Sequence, residues 1–292
     1  MILMYEINPI AIDIFGLQIA WYAICIMVGI FLAVFIGMRE ADRLGFDRNV
    51  LYDGVLYCVP LCIVGARLYY VLFDWDSGWD LLKILGFENG SFTGLRGLAI
   101  NGGIITAGIF VILFCKKKKI SVLSVLDLVA PGFLIGQICG RWGNFFNQEA
   151  HGPATTYEFL SKFLPDFIVN QMKINGVYYH PTFLYELSWN FLVLIMMLIL
   201  RRTKKIKVGD LFPLYLVCYG FFRGAIIEPL RTDPLMMFGI RANVVINLAL
   251  SLLGICILII KRKDWFCNAL GLENKYYHEK LEENGDGKYP FI

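Results

Sequence analysis

Seven stretches of this chain are apolar enough to cross a membrane, and they restrict its fold more than any other feature. A helix needs about 20 mostly apolar residues to span the hydrocarbon core. Residues 19–38, 97–115 and 243–260 approach that length without a charge. Residues 54–73 carry only Arg67, 122–139 only Asp127 and 183–200 only Glu186, while 209–227 carry Asp210 and Arg223. The stretch 97–115 is glycine-rich, so it is either a full span or partly re-entrant. Of the 292 residues, 58% are hydrophobic and 17% charged, against about 45–50% and about 25% in a soluble domain. These residues cannot make the polar skin of a soluble enzyme, and the same balance excludes a disordered chain or a nucleic-acid module. The expected fold is all-α: a polytopic membrane protein with one seven-span domain over residues 1–264 and a polar tail over 265–292.

The basic residues orient the spans. Those after the odd-numbered spans are Arg39, Arg43 and Arg48, then Lys116, Lys117, Lys118 and Lys119, then Arg201, Arg202, Lys204, Lys205 and Lys207, and last Lys261, Arg262 and Lys263, fifteen together. The other side has seven, Lys83, Arg96, Arg141, Lys162, Lys173, Arg231 and Arg241, spread over the longer loops 74–96, 141–182 and 228–242. The positive-inside rule puts the N-terminus outside and the C-terminus in the cytoplasm. Elaborate loops usually carry the chemistry, so the working face is expected outside. The first 18 residues hold Glu6 and Asp13 but no Lys or Arg. A secretory signal starts basic, so this segment is expected to be retained. The eight cysteines form no CxxC pair and read as small apolar filler. Trp21, Tyr22, Tyr69, Tyr70, Trp142, Tyr178, Tyr179 and Trp265 lie near span ends, as an interfacial aromatic belt would.

Ionisable groups within spans are expensive and usually paired or functional. Asp127 and Asp210 stand at span ends and suit helix capping or loop pairing. Arg67 and Arg223 either snorkel outward or join ion pairs. The densest polar cluster, residues 140–152 (GRWGNFFNQEAHG), follows the fourth span. Gly132, Gly136 and Gly140 share one face of that span and permit close helix contact. Arg141, with Asn144, Asn147 and glycine-exposed amides, suits a phospholipid phosphate; the plainer reading pairs Arg141 with Glu149. Three further clusters join it. Tyr219 and Arg223 share a face, with Glu228 and Arg231 beyond. Asn101, Gly102 and Gly103 open the third span. His180, Pro181 and Glu186 open the fifth, with Pro181 at a first helical position and Glu186 either functional or paired to an arginine. All four clusters fall on the outer half. The three histidines lack metal-ligand spacing, so no metal or other cofactor is expected.

These motifs resemble those of the bacterial prolipoprotein diacylglyceryl transferase family, over about residues 16–262. Residues 140–152 are similar to its signature G-R-x-G-N-F-x-N-x-E-x-x-G, and residues 180–186 to its H-P-[ST]-x-L-Y-E. Tyr22 resembles the family's essential tyrosine, and Gly65, Ala66 and Arg67 its G-x-R. Two positions depart from the pattern. Asn101 stands where the family often has a histidine proposed as catalytic, and an amide is no general base. Arg223 and Glu228 are five apart where the family has four. Either Glu228 is turned about 100° around the helix, or the helix ends or bulges between them.

The resemblance implies transfer of a diacylglyceryl group from phosphatidylglycerol to the lipobox cysteine of a preprolipoprotein signal peptide, in the bacterial plasma membrane near its outer leaflet. On that implication Arg141 and Arg223 hold the phosphate, Asn144 and Gly152 shape the headgroup pocket, and Glu149 orients Arg141 or the glycerol hydroxyls. Tyr22 or Tyr219 assists proton transfer, with His151 and His180 in reserve. Asn101, Gly102, Gly103, Asn147, His180 and Glu228 complete the phospholipid set. The rival class is a seven-span transporter or channel for an anionic solute. Against it, the polar residues gather on one side and no paired repeats occur. No Asp-rich metal motif of a CDP-alcohol phosphotransferase is present, and Ser121, Ser124 and Ser188 lack the setting of a protease nucleophile.

Overall fold

The computed structural model describes residues 7–14, 17–74, 79–88, 91–92, 97, 99–203, 205–233, 236–237, 239–263, 267 and 275–276. Expectations resting on Glu6, Arg96, Lys204, Trp265 and most of the tail 265–292 lie outside them. In order, the helices are α1 (Trp21–Leu44), α2 (Arg48–Phe73), α3 (Leu81–Ile84), α4 (Ile100–Lys118), α5 (Val122–Phe146), α6 (Tyr157–Ser161), α7 (Asp166–Gln171), α8 (Thr182–Leu200), α9 (Leu211–Phe222), α10 (Glu228–Leu230) and α11 (Ala242–Lys261). A π-helical turn, Arg223–Ile227, joins α9 to α10, so Leu211–Leu230 runs as one rod. That rod, with α1, α2, α4, α5, α8 and α11, gives seven helices among the described residues that are long and apolar enough to cross a membrane, and the chain is a multi-pass membrane protein. Phe31, Leu56 and Leu72 are each about two-thirds exposed on these helices; in a bilayer such side chains face lipid rather than water.

Short strands decorate the helix ends. β1 (Ile10–Ile14) and β2 (Leu17–Ala20) form a hairpin before α1, and β3 (Phe87–Glu88) pairs with β4 (Ser91–Phe92). β5 (Ala154–Thr155), β6 (Lys173–Ile174) and β7 (Val177–Tyr179) make an antiparallel sheet in the order β5-β7-β6. β8 (Met236–Met237) pairs with β9 (Ile240–Arg241) before α11.

Two compact units arise. The described residues of 40–125 form one, built on α2 and α4. There a Cβ on Gly102 would lie 2.4 Å from the Gly65 carbonyl oxygen and from Tyr69 Cβ, so only glycine allows that crossing. Asn101 is exposed on α4. Arg67 neither snorkels nor stands free: it donates to the carbonyls of Lys83, Ile84 and Gly97 and stacks on Trp79. The stretch 97–115 becomes the continuous helix α4 rather than a re-entrant segment.

The other unit holds the described residues of 1–39 and 126–283. Helix α1 packs on the small-residue face of α5: a Cβ on Gly132 would meet Ala33 at 3.3 Å, and one on Gly29 would meet Cys139 at 3.0 Å. The loop expected over 141–182 is only partly a loop. Its first six residues continue α5, and half of the remainder folds into β5–β7, α6 and α7. Leu160, Ile168, Val169 and Met172 of this segment are buried against Phe145 and Phe183. Gln171 fixes it there by donating to the carbonyls of Phe145 and Phe146.

Candidate functional site

Arg141, Glu186, Arg223 and Glu228 stand at the ends of α5, α8 and the α9–α10 rod, and they form one chain of ion pairs. Glu186, 1% exposed, lies at its centre: Oε1 is 3.4 Å from Arg141 Nε, and Oε2 accepts from Arg223 Nη1. Arg223 Nη2 pairs with Glu228, which is fully buried. Arg231 continues the chain, 3.6 Å from Glu228 and 2.7 Å from Asp233. Arg241 closes the end by donating to the carbonyls of Glu228, Pro229 and Arg231. Losing Glu186 or Arg223 would leave an uncompensated buried charge, at a cost of about 3–5 kcal/mol, whereas losing the less buried Arg141 leaves Glu186 paired with Arg223. Glu186, which its position in the fifth span marks as either functional or paired to an arginine, is paired with two arginines from two other helices and is the hub.

The π turn answers the five-residue spacing. The Glu228 N–H donates to the Arg223 carbonyl across five residues instead of four. The widened turn absorbs one extra residue and returns Glu228 to the side of Arg223. A bulge, not a rotation of Glu228 out of the site, is therefore what happens, and such bulges are frequent at functional sites.

Around Arg141 the arrangement differs from the simplest expectation. Its Nη1 donates to Asn144 Oδ1 at 2.8 Å, and Asn144 Nδ2 donates to Glu149 Oε1 at 2.8 Å. Asn147 Nδ2 reaches the same oxygen at 3.5 Å. The expected Arg141–Glu149 ion pair is thus replaced by a relay through Asn144, because Glu186 takes the guanidinium. Gln148 and Ala150 hold φ of 53° and 57° on either side of Glu149. Left-handed backbone at non-glycine residues is costly and clusters at functional sites.

The remaining candidates fall in two groups. Tyr219 stands close enough to Arg141, Glu186, Arg223 and Glu228 to feel all four charges. Tyr22 packs on α5 at Gly143, where a Cβ would lie 2.4 Å from its ring. Gly152 is pressed against the start of α8: its N–H donates to the His180 carbonyl, and a Cβ would meet His180 Cβ at 2.9 Å, which is a packing requirement. His180 Nδ1 lies 3.0 Å from the Tyr185 hydroxyl, and His151 Nδ1 lies 3.2 Å from Thr232. His180 ties its loop to α8, and His151 ties its loop to the segment after α10. Pro181 is the residue before α8 rather than its first. Asn101, Gly102 and Gly103 belong to the other unit. Outside the spans, Asp233 has its carboxyl held below the ordinary range: burial opposes this, but hydrogen bonds and charge from Arg231 prevail.

Fold and site together define a class: a multi-pass membrane protein with a buried arginine–carboxylate chain at one end of its bundle. Residues 9–260 match the model of the prolipoprotein diacylglyceryl transferase family. A phosphatidylglycerol–prolipoprotein diacylglyceryl transferase of Streptococcus sanguinis is 44% identical over 259 residues, 88% of this chain and 97% of that protein. Proteins of the same name from Bacillus cereus and Bacillus anthracis are 41% identical over 276 residues, 94% of this chain and 97% of theirs. The chain belongs to the prolipoprotein diacylglyceryl transferase family.

Proposed function

We propose that this chain transfers the diacylglyceryl group of phosphatidylglycerol to the lipobox cysteine thiol of a preprolipoprotein, at the outer leaflet of a bacterial plasma membrane, with its N-terminus outside and its C-terminus in the cytoplasm. The sulfur attacks the terminal glyceryl carbon. A C–S bond forms, the C–O bond to phosphate breaks, and glycerol phosphate leaves. The thiol proton passes to a base, since the thiolate is the nucleophile.

The observation that supports this reading best is the buried ion-pair chain on Glu186. Arg223 has both terminal nitrogens on carboxylates, whereas Arg141 is less buried and keeps donor capacity. Arg141 is therefore the direct clamp on the phosphate, and Arg223 adds its charge from behind Glu186. Cationic donors placed where charge develops on a leaving group are the largest expected electrostatic contribution. Glu149 orients Asn144, and Asn144 fixes the Arg141 fork. Tyr219, among the four charges, is the first choice for relaying the thiol proton, and Tyr22 the second.

The test is transfer of acyl-labelled phosphatidylglycerol to a cysteine-containing signal peptide in vesicles. Arg141→Ala should lower the rate about 100-fold or more. A rate equal to wild type would remove Arg141 from the reaction. A silent Tyr219→Phe would pass the relay to Tyr22.

A further inference from the structure

One helical turn further into the bundle, the same three helices carry a second polar layer. Gln137 stands four residues before Arg141 on α5, and Asn190 four residues after Glu186 on α8. Tyr219 and Tyr215 stand four and eight residues before Arg223 on α9. Residues four apart share a helix face, so this layer turns toward the same interior as the ion pairs, about 6 Å deeper at Gln137, Asn190 and Tyr219 and about 12 Å deeper at Tyr215. Gln137 Nε2 donates to the Tyr215 hydroxyl at 2.7 Å. Asn190 is fully buried, and neither its Nδ2 nor its Oδ1 has a hydrogen-bond partner among the described residues. Gln137 Oε1 is buried in the same condition.

An unpaired buried amide is destabilising, and α8 fills its next buried positions with Val193, Leu194 and Met197. Polar groups inside spans either bond to one another across helices or mark a functional path, and Asn190 makes no such bond among the described residues. The unpartnered amide atoms are two acceptor oxygens and one NH2 donor, and the Tyr215 hydroxyl, which accepts from Gln137, has its own O–H to donate. Glyceryl esters only accept, so they would satisfy the Asn190 NH2 and neither oxygen. A peptide backbone supplies N–H and C=O in alternation, and in hydrocarbon it needs both satisfied.

We propose that Asn190 and Gln137 bind the backbone of the acceptor peptide beside its cysteine, one turn deeper than the phosphate clamp. The inference rests on the transferase reading for the presence of a peptide substrate. Such a contact holds the peptide without selecting its side chains.

The test uses the full-length protein in phosphatidylglycerol vesicles and a fluorescent cysteine-containing signal peptide, with binding followed by anisotropy. Asn190→Leu should raise the peptide Kd about tenfold or more, with the lipid KM within about twofold of wild type. Its melting temperature should match or exceed wild type, because an unpaired buried amide has been removed. N-methylation of the peptide backbone next to the cysteine should weaken wild-type binding similarly and add little in the variant. Gln137→Leu and Asn190→Ala give the same readout should Asn190→Leu not fold. An unchanged peptide Kd would overturn the inference, as would a rise confined to the lipid KM, which would assign the layer to the ester groups. Binding is read apart from transfer, so a wild-type protein that binds peptide without transferring lipid would speak against the reaction and not against the peptide site.

Discussion

Helices α5, α8 and α9 carry buried charge at both ends, and the two ends are built differently. At one, Asp127 accepts from the backbone N–H groups of Gly209 and Phe212 at 2.6 and 2.9 Å, and its carbonyl accepts from Arg201. Asp210 accepts from the Lys207 N–H and from Arg262, and Lys261 donates to the Val208 carbonyl. Tail residues 275–276 join through a bridge between Tyr276 and Lys207. At the other end, among the described residues, the charges of Arg141, Glu186, Arg223 and Glu228 are met by one another's side chains and not by backbone N–H groups. Arg141 Nε, Glu186 Oε1 and both Glu228 oxygens are buried there without a well-aligned hydrogen bond. Backbone amides cannot leave a carboxylate without unfolding, so the first end is a latch. Side chains can exchange one partner for a phosphate oxygen, so the second end can accept a ligand.

Substitutions can break this contrast, the largest effect first. Arg141→Ala should lower lipid transfer about 100-fold or more while the melting temperature stays within a few degrees, about the cost of one partly exposed group. Asp127→Ala should do the reverse. It leaves two amides unpaired at about 1–3 kcal/mol each, so thermal melting should fall by roughly 5 °C or more, with transfer per folded molecule within about twofold. Comparable activity losses in both variants would erase the distinction. Deleting Ala225 should relax the π turn to an α turn and restore a four-residue spacing from arginine to glutamate. Transfer should then stay within about tenfold of wild type, whereas deleting Val217 from regular helix should abolish it, because only the former removes a residue the helix had bulged to admit. The smallest effect belongs to the rim. The Asp233 carboxyl is held below its ordinary value, so its stabilising contribution is present above about pH 4 and is lost as pH falls through the lowered value. Asp233→Asn should change transfer less than about twofold, and a pH profile from 5 to 8 should not respond to this pair.

The spans were legible because hydrophobic runs encode themselves locally. The ends were less so. Residues 19–38 mark the apolar run of α1, yet the helix continues to Leu44, where Arg43 pairs with Glu40 one turn back. Likewise α5 runs past Cys139 to Phe146, so Arg141 and Asn144 ride on a helix and not on a loop. Asp127 and Asp210 behave as the capping and pairing groups their span-end positions suggest. The motif around residues 140–152 pointed to Arg141, Asn144 and Glu149, but not to how they connect. That depends on Glu186, a single acidic residue in an apolar run whose partners lie 45 and 37 residues away in sequence. No local pattern carries that pairing. The five-residue spacing of Arg223 and Glu228 was visible as an irregularity, and three-dimensional pairing was needed to turn it into a π turn. The buried segment over α6 and α7 was hidden for the same reason: its short strands and helices are held by Phe145, Phe183 and Gln171 rather than by propensity.

The most direct measurement is an experimental structure of the protein with bound phosphatidylglycerol. The lipid phosphate is expected within about 4 Å of the Arg141 guanidinium, at ion-pair distance, with Glu186 still bound to Arg223. A phosphate held instead at the Lys116–Lys119 end of α4 would contradict the assignment of the ligand site to the arginine–carboxylate chain.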